Sequence, residues 1–150
     1  MERSTELKGH ELFRSLSVNA VHKISQLSEV KEFKAGDTIY HQNQEARNLY
    51  ILLEGLVALR FPAEEEAFSV SVIRIEKDDW IGAGALLGAT KHATDAYCVK
   101  DSKLLSISAK GLREILEEDR VASFDVILKI AHEYFERYLY LMNKIQSIFS

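Results

Sequence analysis

The rhythm of apolar and polar positions changes twice along the 150 residues of this chain. Up to about residue 29 the apolar residues fall at helical intervals, Leu12, Phe13 and Leu16 leading to Val21, Ile24 and Leu27 with polar residues between. Ser17 and Asn19 are candidate N-caps for the second of two short helices. From Val30 the period shortens to two. "VKEFKAGDTIY" brings Val30 and Phe33 to a turn at Ala35-Gly36-Asp37, after which Thr38-Ile39-Tyr40 resumes a strand. "NLYILLEGLVALRF" reads as two strands meeting at Glu54-Gly55. "AFSVSVIRIE" alternates with Phe68, Val70, Val72 and Ile73 or Ile75 inward, and "ATDAYCV" and "KLLSIS" close the series. Glu64-Glu65-Glu66 reads as a solvated hairpin tip. Short strands at this spacing predict a sandwich or barrel of the jelly-roll kind.

The third rhythm is helical again. "AKGLREILEEDR" predicts a short helix, and nothing breaks a long one from about Val121 to Phe149. Within it Phe124, Leu128, Ala131, Phe135, Tyr138, Met142, Ile145 and Phe149 alternate steps of four and three, a heptad seam. Ile127, Ile130, Tyr134, Leu141 and Ile148 form a second apolar stripe. A helix of about 30 residues is roughly 45 Å long, more than a domain of this size covers. Two stripes therefore predict two partners, the chain's own barrel and a second copy of the helix, making a homodimer.

Composition narrows the class. One domain spanning residues 1–150 is expected, with N-terminal helices over 1–29, the jelly roll over 30–108 and C-terminal helices over 109–150. A net charge of −4 argues against direct nucleic acid binding, which calls for a basic face. No apolar run is long enough for a bilayer, so no membrane partner is expected. The single cysteine, Cys98, cannot close an internal disulfide, and its apolar surroundings in the sequence predict a buried, inert thiol in a reducing cytoplasm. Metal-centred chemistry finds poor support: His41, Asn43 and Glu45 imitate a cupin ligand set with only one histidine, and the later His92 and His132 lie on a turn and a helix. A haem reading would call on His41, His92 or Cys98, whose spacing does not place them together. No local signature of a catalytic triad or carboxylate pair is present, so the chain reads as non-catalytic.

The stretch with the most chemistry is "WIGAGALLGATKHATDAYC", residues 80 to 98, where three glycines precede Lys91 and His92. Glycine-rich turns beside basic residues cradle phosphates. Taken with "FKAGDTIYHQNQEARNLYILLEGLVAL", in which Gly36, Ile39, Tyr50 and Gly55 fall at characteristic places, the stretch resembles the cyclic nucleotide-binding domain family. It is most similar to the sensory half of catabolite activator-type (Crp/Fnr) transcription regulators. The resemblance implies a jelly-roll β-barrel with short N-terminal helices and a long C-terminal dimerisation helix. Asn43 replaces the family's middle glycine, a mild exchange because asparagine tolerates the left-handed region.

The resemblance also implies a phosphate-binding cassette in which Gly82, Ala83, Gly84, Ala85, Lys91, His92, Ala93 and Thr94 are the candidate ligand-binding residues. In the family a glutamate holds the ribose hydroxyl and an arginine pairs with the cyclic phosphate; here Ala83 and His92 stand in those places. Losing two hydrogen bonds to charged groups costs roughly 3–6 kcal/mol, about two to four orders of magnitude in affinity. The expectation is a degenerate cassette for a small anionic ligand or a weakly held cyclic nucleotide, with His92 contributing charge when protonated. A vestigial pocket in a dimerisation or adaptor module is the alternative. On this alignment, Ala83→Glu with His92→Arg restores cyclic AMP binding. In the regulators it resembles, the long helix leads into a DNA-binding domain, so the chain reads either as a fragment of such a regulator or as a stand-alone sensor.

Overall fold

The computed structural model describes residues 2–62 and 70–150, and the readings made for Glu64-Glu65-Glu66 and Phe68 lie outside them. Two helices come first, α1 (Glu2–Gly9) and α2 (Val18–Leu27), joined through a single 3-10 turn at Glu11–Phe13. Leu12 and Phe13, read from the sequence as part of a first helix, lie in that turn, and both are fully buried. Ser17 caps α2 as expected, its Oγ accepting the Ala20 N–H at 3.0 Å.

Eight strands follow among the described residues: β1 (Ser28–Phe33), β2 (Thr38–Tyr40), β3 (Asn48–Glu54), β4 (Val57–Phe61), β5 (Val70–Ile75), β6 (Trp80–Ile81), β7 (Asp95–Cys98) and β8 (Ser102–Ser108). They form two antiparallel four-stranded sheets, in the orders β1-β8-β3-β6 and β2-β7-β4-β5. The two-residue β6, which opens the glycine-rich stretch, pairs with β3 through Tyr50 and Ile51. β5 lies at a sheet edge, and there Val70, expected inward, is exposed while Ile75 is buried. The turn at Gly36 has a left-handed backbone (φ 93°), and so does Asn43 (φ 68°).

Side-chain alternation divides the interior into two cores. On β3, Leu49 and Ile51 face the helices, whereas Tyr50 and Leu52 face the space between the sheets. On β8, Leu105 and Ile107 join the first core and Leu104 the second. The central strands β8 and β3 of this sheet are thus covered on both faces, which explains why "YILL" in β3 is apolar without interruption. Cys98 lies in the inter-sheet core, where burial raises its thiol pKa.

Two helices close the chain. α3 (Ala109–Glu118) is capped by Ser108, and α4 (Arg120–Ile148) by Asp119, whose Oδ1 accepts the Ala122 N–H at 3.2 Å. α4 is 29 residues long, and its buried contacts lie toward its start, at Ser123, Val126 and Ile130. The second stripe turns inward at Ile130 and, half-buried, at Ile127 and Leu141, but its last member, Ile148, is exposed. The heptad seam remains in solvent: Phe124 is 65% exposed, Leu128 54%, Phe135 56%, Tyr138 54%, Met142 41% and Ile145 47%. Ala131, on the same seam, is exposed too. Among the described residues no helix is long and apolar enough to cross a membrane.

Candidate functional site

The glycine-rich stretch forms a compact turn at the end of β6. Gly82 adopts φ 76° and ψ 8° and starts a 3-10 turn over Ala83–Ala85. A Cβ at this position would lie 2.6 Å from the Asn48 carbonyl oxygen, so both conformation and close approach require glycine. The Ala85 and Leu86 amides donate to the Gly82 and Ala83 carbonyls, and the Leu87 and Ala89 amides both donate to Gly84. Beyond it, residues 90 to 93 are held by the loop after β2. The Ala46 N–H donates to Thr90 O at 2.9 Å, His92 N–H to Gln44 O at 3.0 Å and Asn43 N–H to His92 O at 2.9 Å. The Gln42 side chain adds a 3.1 Å bond to Ala93 O, and its backbone N–H donates to buried Asp95 at 2.7 Å. The two sequence signatures therefore meet along this seam of backbone bonds, with Asn43 in its left-handed turn at the centre.

The candidate residues divide by environment. Gly82, Gly84, Ala85 and Thr94 are half-buried, while Lys91 and Ala93 are exposed. Ala83, standing where the family pattern has its glutamate, is 1% exposed and belongs to the same core as Trp80, Leu86, Val126 and Ile130. His92 is 8% exposed, and its imidazole stacks on the Tyr40 ring with centroids 3.5 Å apart and planes 7° from parallel. The charge expected of it at mildly acid pH meets opposition, because burial lowers its pKa below the ordinary imidazole value of 6.5. Tyr40 in turn lies 6.1 Å from Tyr50, and burial pushes its phenol well above the usual tyrosine range.

Two residues that sequence reasoning did not place here come from α4. The Tyr134 hydroxyl lies beside the cassette, 3.4 Å from where a Cβ on Gly84 would stand. Burial raises the Tyr134 pKa, opposed by the Arg137 charge and the Gly84 amide. One turn further along α4, Arg137 donates from Nη2 to the Trp80 carbonyl at 2.6 Å and from Nε to Glu133 Oε1 at 3.2 Å. Its side chain is only 11% exposed. The nearest chain positions offered no arginine between Arg74 and Arg113, yet α4 brings one to the start of the cassette from 57 residues away. The i, i+3 spacing of Tyr134 and Arg137 on one helix face was the available signal.

Two grooves lie elsewhere. One of about 1500 Å³ runs between α1, α2 and the outer face of β1, β3 and β8, and one of about 340 Å³ separates Trp80 from α4 at Leu128 and His132. No group of three or more metal-ligating side chains gathers among the described residues.

The profile of the cyclic nucleotide-binding domain family matches residues 30–119. Among solved structures, a Geobacter metallireducens protein described as a cyclic nucleotide-binding candidate shares 25% identity; the match covers 92% of this chain and 99% of that one, with a TM-score of 0.78. The sensor domain of the transcriptional regulator DNR from Pseudomonas aeruginosa superposes with a TM-score of 0.75 at 17% identity, over 87% of this chain and 91% of that one. A regulatory subunit of a cAMP-independent protein kinase A from Trypanosoma cruzi, bound to guanosine, superposes with a TM-score of 0.73 at 20% identity, over 97% of this chain and 51% of that one.

Proposed function

We propose, from the premise that the chain belongs to the cyclic nucleotide-binding domain family, that it is a non-catalytic sensory domain with a degenerate cassette. It dimerises through α4 and passes the state of the cassette to a partner in transcription control. The observation that carries this reading is the double exposure of α4. One face of the helix sets Tyr134 and Arg137 on the cassette, and the other offers Phe124, Leu128, Phe135, Tyr138, Met142 and Ile145 to solvent. A rigid helix that touches both places moves its seam when the cassette contact changes. Likeness to the DNR sensor domain supports the fold of such a module.

The ligand is a small anion or a weakly held cyclic nucleotide. Lys91 at the rim and Arg137 at the start of the cassette supply positive charge. A second reading, a dimerisation or adaptor module with a vestigial pocket, draws support from α4 already packing Tyr134 and Arg137 against residues 80 to 84. Thermal unfolding with cyclic AMP, cyclic GMP, guanosine and small anions separates them. A ligand at 100 times its Kd adds about 2.7 kcal/mol, a rise of several degrees. A rise with one compound supports the sensor; a flat panel favours the adaptor.

A further inference from the structure

His10 ties the N-terminal helices to the turn that leads into β6, and both of its ring nitrogens are engaged. Nδ1 accepts the Leu12 N–H at 3.0 Å, capping the 3-10 turn at Glu11–Phe13. Nε2 lies 2.9 Å from the Asp78 carbonyl oxygen, which can only accept, so Nε2 carries the proton and donates it. An amide N–H on one side and a carbonyl on the other fit one form of the ring, the neutral Nε2–H tautomer. The imidazole also packs edge-on against Trp80, with centroids 6.1 Å apart, and at a tilt against Phe13 at 6.3 Å.

The turn on the far side is itself constrained. Asp78 has φ 73°, a left-handed conformation that aspartate tolerates better than most residues. Its N–H donates to Leu52 O at 2.8 Å, and the Leu52 N–H donates to Asp79 O at 2.9 Å. Trp80 follows directly, its carbonyl held by Arg137 of α4 at 2.6 Å. Contacts therefore run from His10 through Asp78 and Trp80 to α4, across the entry of the cassette. Charges of both signs surround the ring: Glu11 and Arg14 from its own segment, and Lys77, Asp78 and Asp79 from the facing turn. Arg3 and Glu6 of α1, His22 of α2, Glu54 of β3 and Lys103 of β8 line the same groove. Lys129, His132 and Glu133 of α4 lie on the other side of Trp80. The hydrogen bonds of the ring go to main-chain groups, which keep their polarity whatever the pH.

We propose that His10 is a pH-operated clasp between the N-terminal helices and the turn before β6, closed while the imidazole is neutral and opened by a proton on Nδ1. That proton sets one N–H against another at Leu12, so the cap is lost and the ring turns away from it. Imidazole is the side chain suited to change charge between pH 5 and 8. The clasp lies outside the glycine-rich turn and needs no ligand, so it stands independently of the sensory reading.

Long-range proton–nitrogen NMR correlation at about pH 8 should show His10 as the Nε2–H tautomer; an Nδ1–H ring would overturn the proposal. Between about pH 8 and pH 5 the exchange protection of the Leu12 amide, corrected for its intrinsic rate, should fall roughly two- to tenfold, the worth of one neutral hydrogen bond. Unchanged protection overturns the clasp. His10→Asn supplies a capping acceptor that does not titrate, so its Leu12 protection should stay level over the same range. The same fall in His10→Asn would place the source elsewhere and overturn the role given to His10. Trp80, the single tryptophan of the chain, gives a second readout, because an imidazolium beside an indole quenches its emission. Quenching on acidification should persist in His132→Gln and vanish in His10→Asn; the opposite pattern would assign the response to His132 and overturn the proposal.

Discussion

Replacing Leu128 by aspartate tests the role given to α4 more directly than any change in the cassette. Leu128 is 54% exposed in the single chain, so the substitution leaves the core formed by Val126 and Ile130 untouched. Fully burying a large apolar side chain contributes about 1.5–3 kcal/mol. The six large seam residues from Phe124 to Ile145 each retain about half of their surface, leaving on the order of 1 kcal/mol apiece to be gained. Twice over in a symmetric pair, this amounts to roughly 12 kcal/mol, and after the low end of the association cost about 8 kcal/mol remains, a micromolar dimer. Leu128→Asp removes two of those contributions and brings two carboxylates into a seam from which water is excluded, a loss of at least about 4 kcal/mol, or three orders of magnitude in Kd. Sedimentation equilibrium at about 100 µM should then show the unaltered chain near twice its 17.1 kDa and the variant near 17.1 kDa. Circular dichroism should be unchanged between them. An unaltered chain that stays at single mass, or a folded variant that stays paired, would refute the seam argument.

Three further outcomes follow from the geometry of the cassette and its surroundings. Gly82→Ala must place a Cβ 2.6 Å from Asn48 O at φ 76°; strain and overpacking of roughly 2–4 kcal/mol should lower the Tm by about 6 to 14 °C in calorimetry. Ala83→Glu with His92→Arg, which the family pattern calls for, should lower the Tm sharply and not restore cyclic AMP binding, because position 83 lies in an apolar core where an unpaired carboxylate costs several kcal/mol; a stable double variant that binds cyclic AMP by calorimetry would show that the turn re-forms around the glutamate. His92 carries its lowered pKa through burial, so its contribution is fully present above the ordinary value of 6.5 and is lost as pH falls through the lower folded value. Tm measured from neutral to acid pH should decline more steeply for the unaltered chain than for His92→Phe, which retains a ring for Tyr40; parallel curves would remove His92 as the source.

Much of this molecule was determined by local sequence. The period-two stretches, the Ser17 cap, the left-handed turns at Gly36 and Asn43 and the uninterrupted helix from Arg120 to Ile148 all follow from preferences that act within a few residues. The exposed seam was legible for the same reason, since a heptad repeat places its members on one face whatever the helix packs against. Other features depended on which remote segments meet. β3 lies in the middle of its sheet and is covered on both faces, so its apolar run carries no alternation from which inside and outside could be read. Ala83 and His92 were placed by a pattern of residue types, but their environments were decided by α4 and by Tyr40, which pack one into a core and stack on the other. Tyr134 and Arg137 reach the cassette only because α4 crosses the end of β6. Periodicity sets which side of an element is apolar; packing between distant elements decides what that side touches, and here it brought Tyr134 and Arg137 of α4 to the glycine-rich stretch.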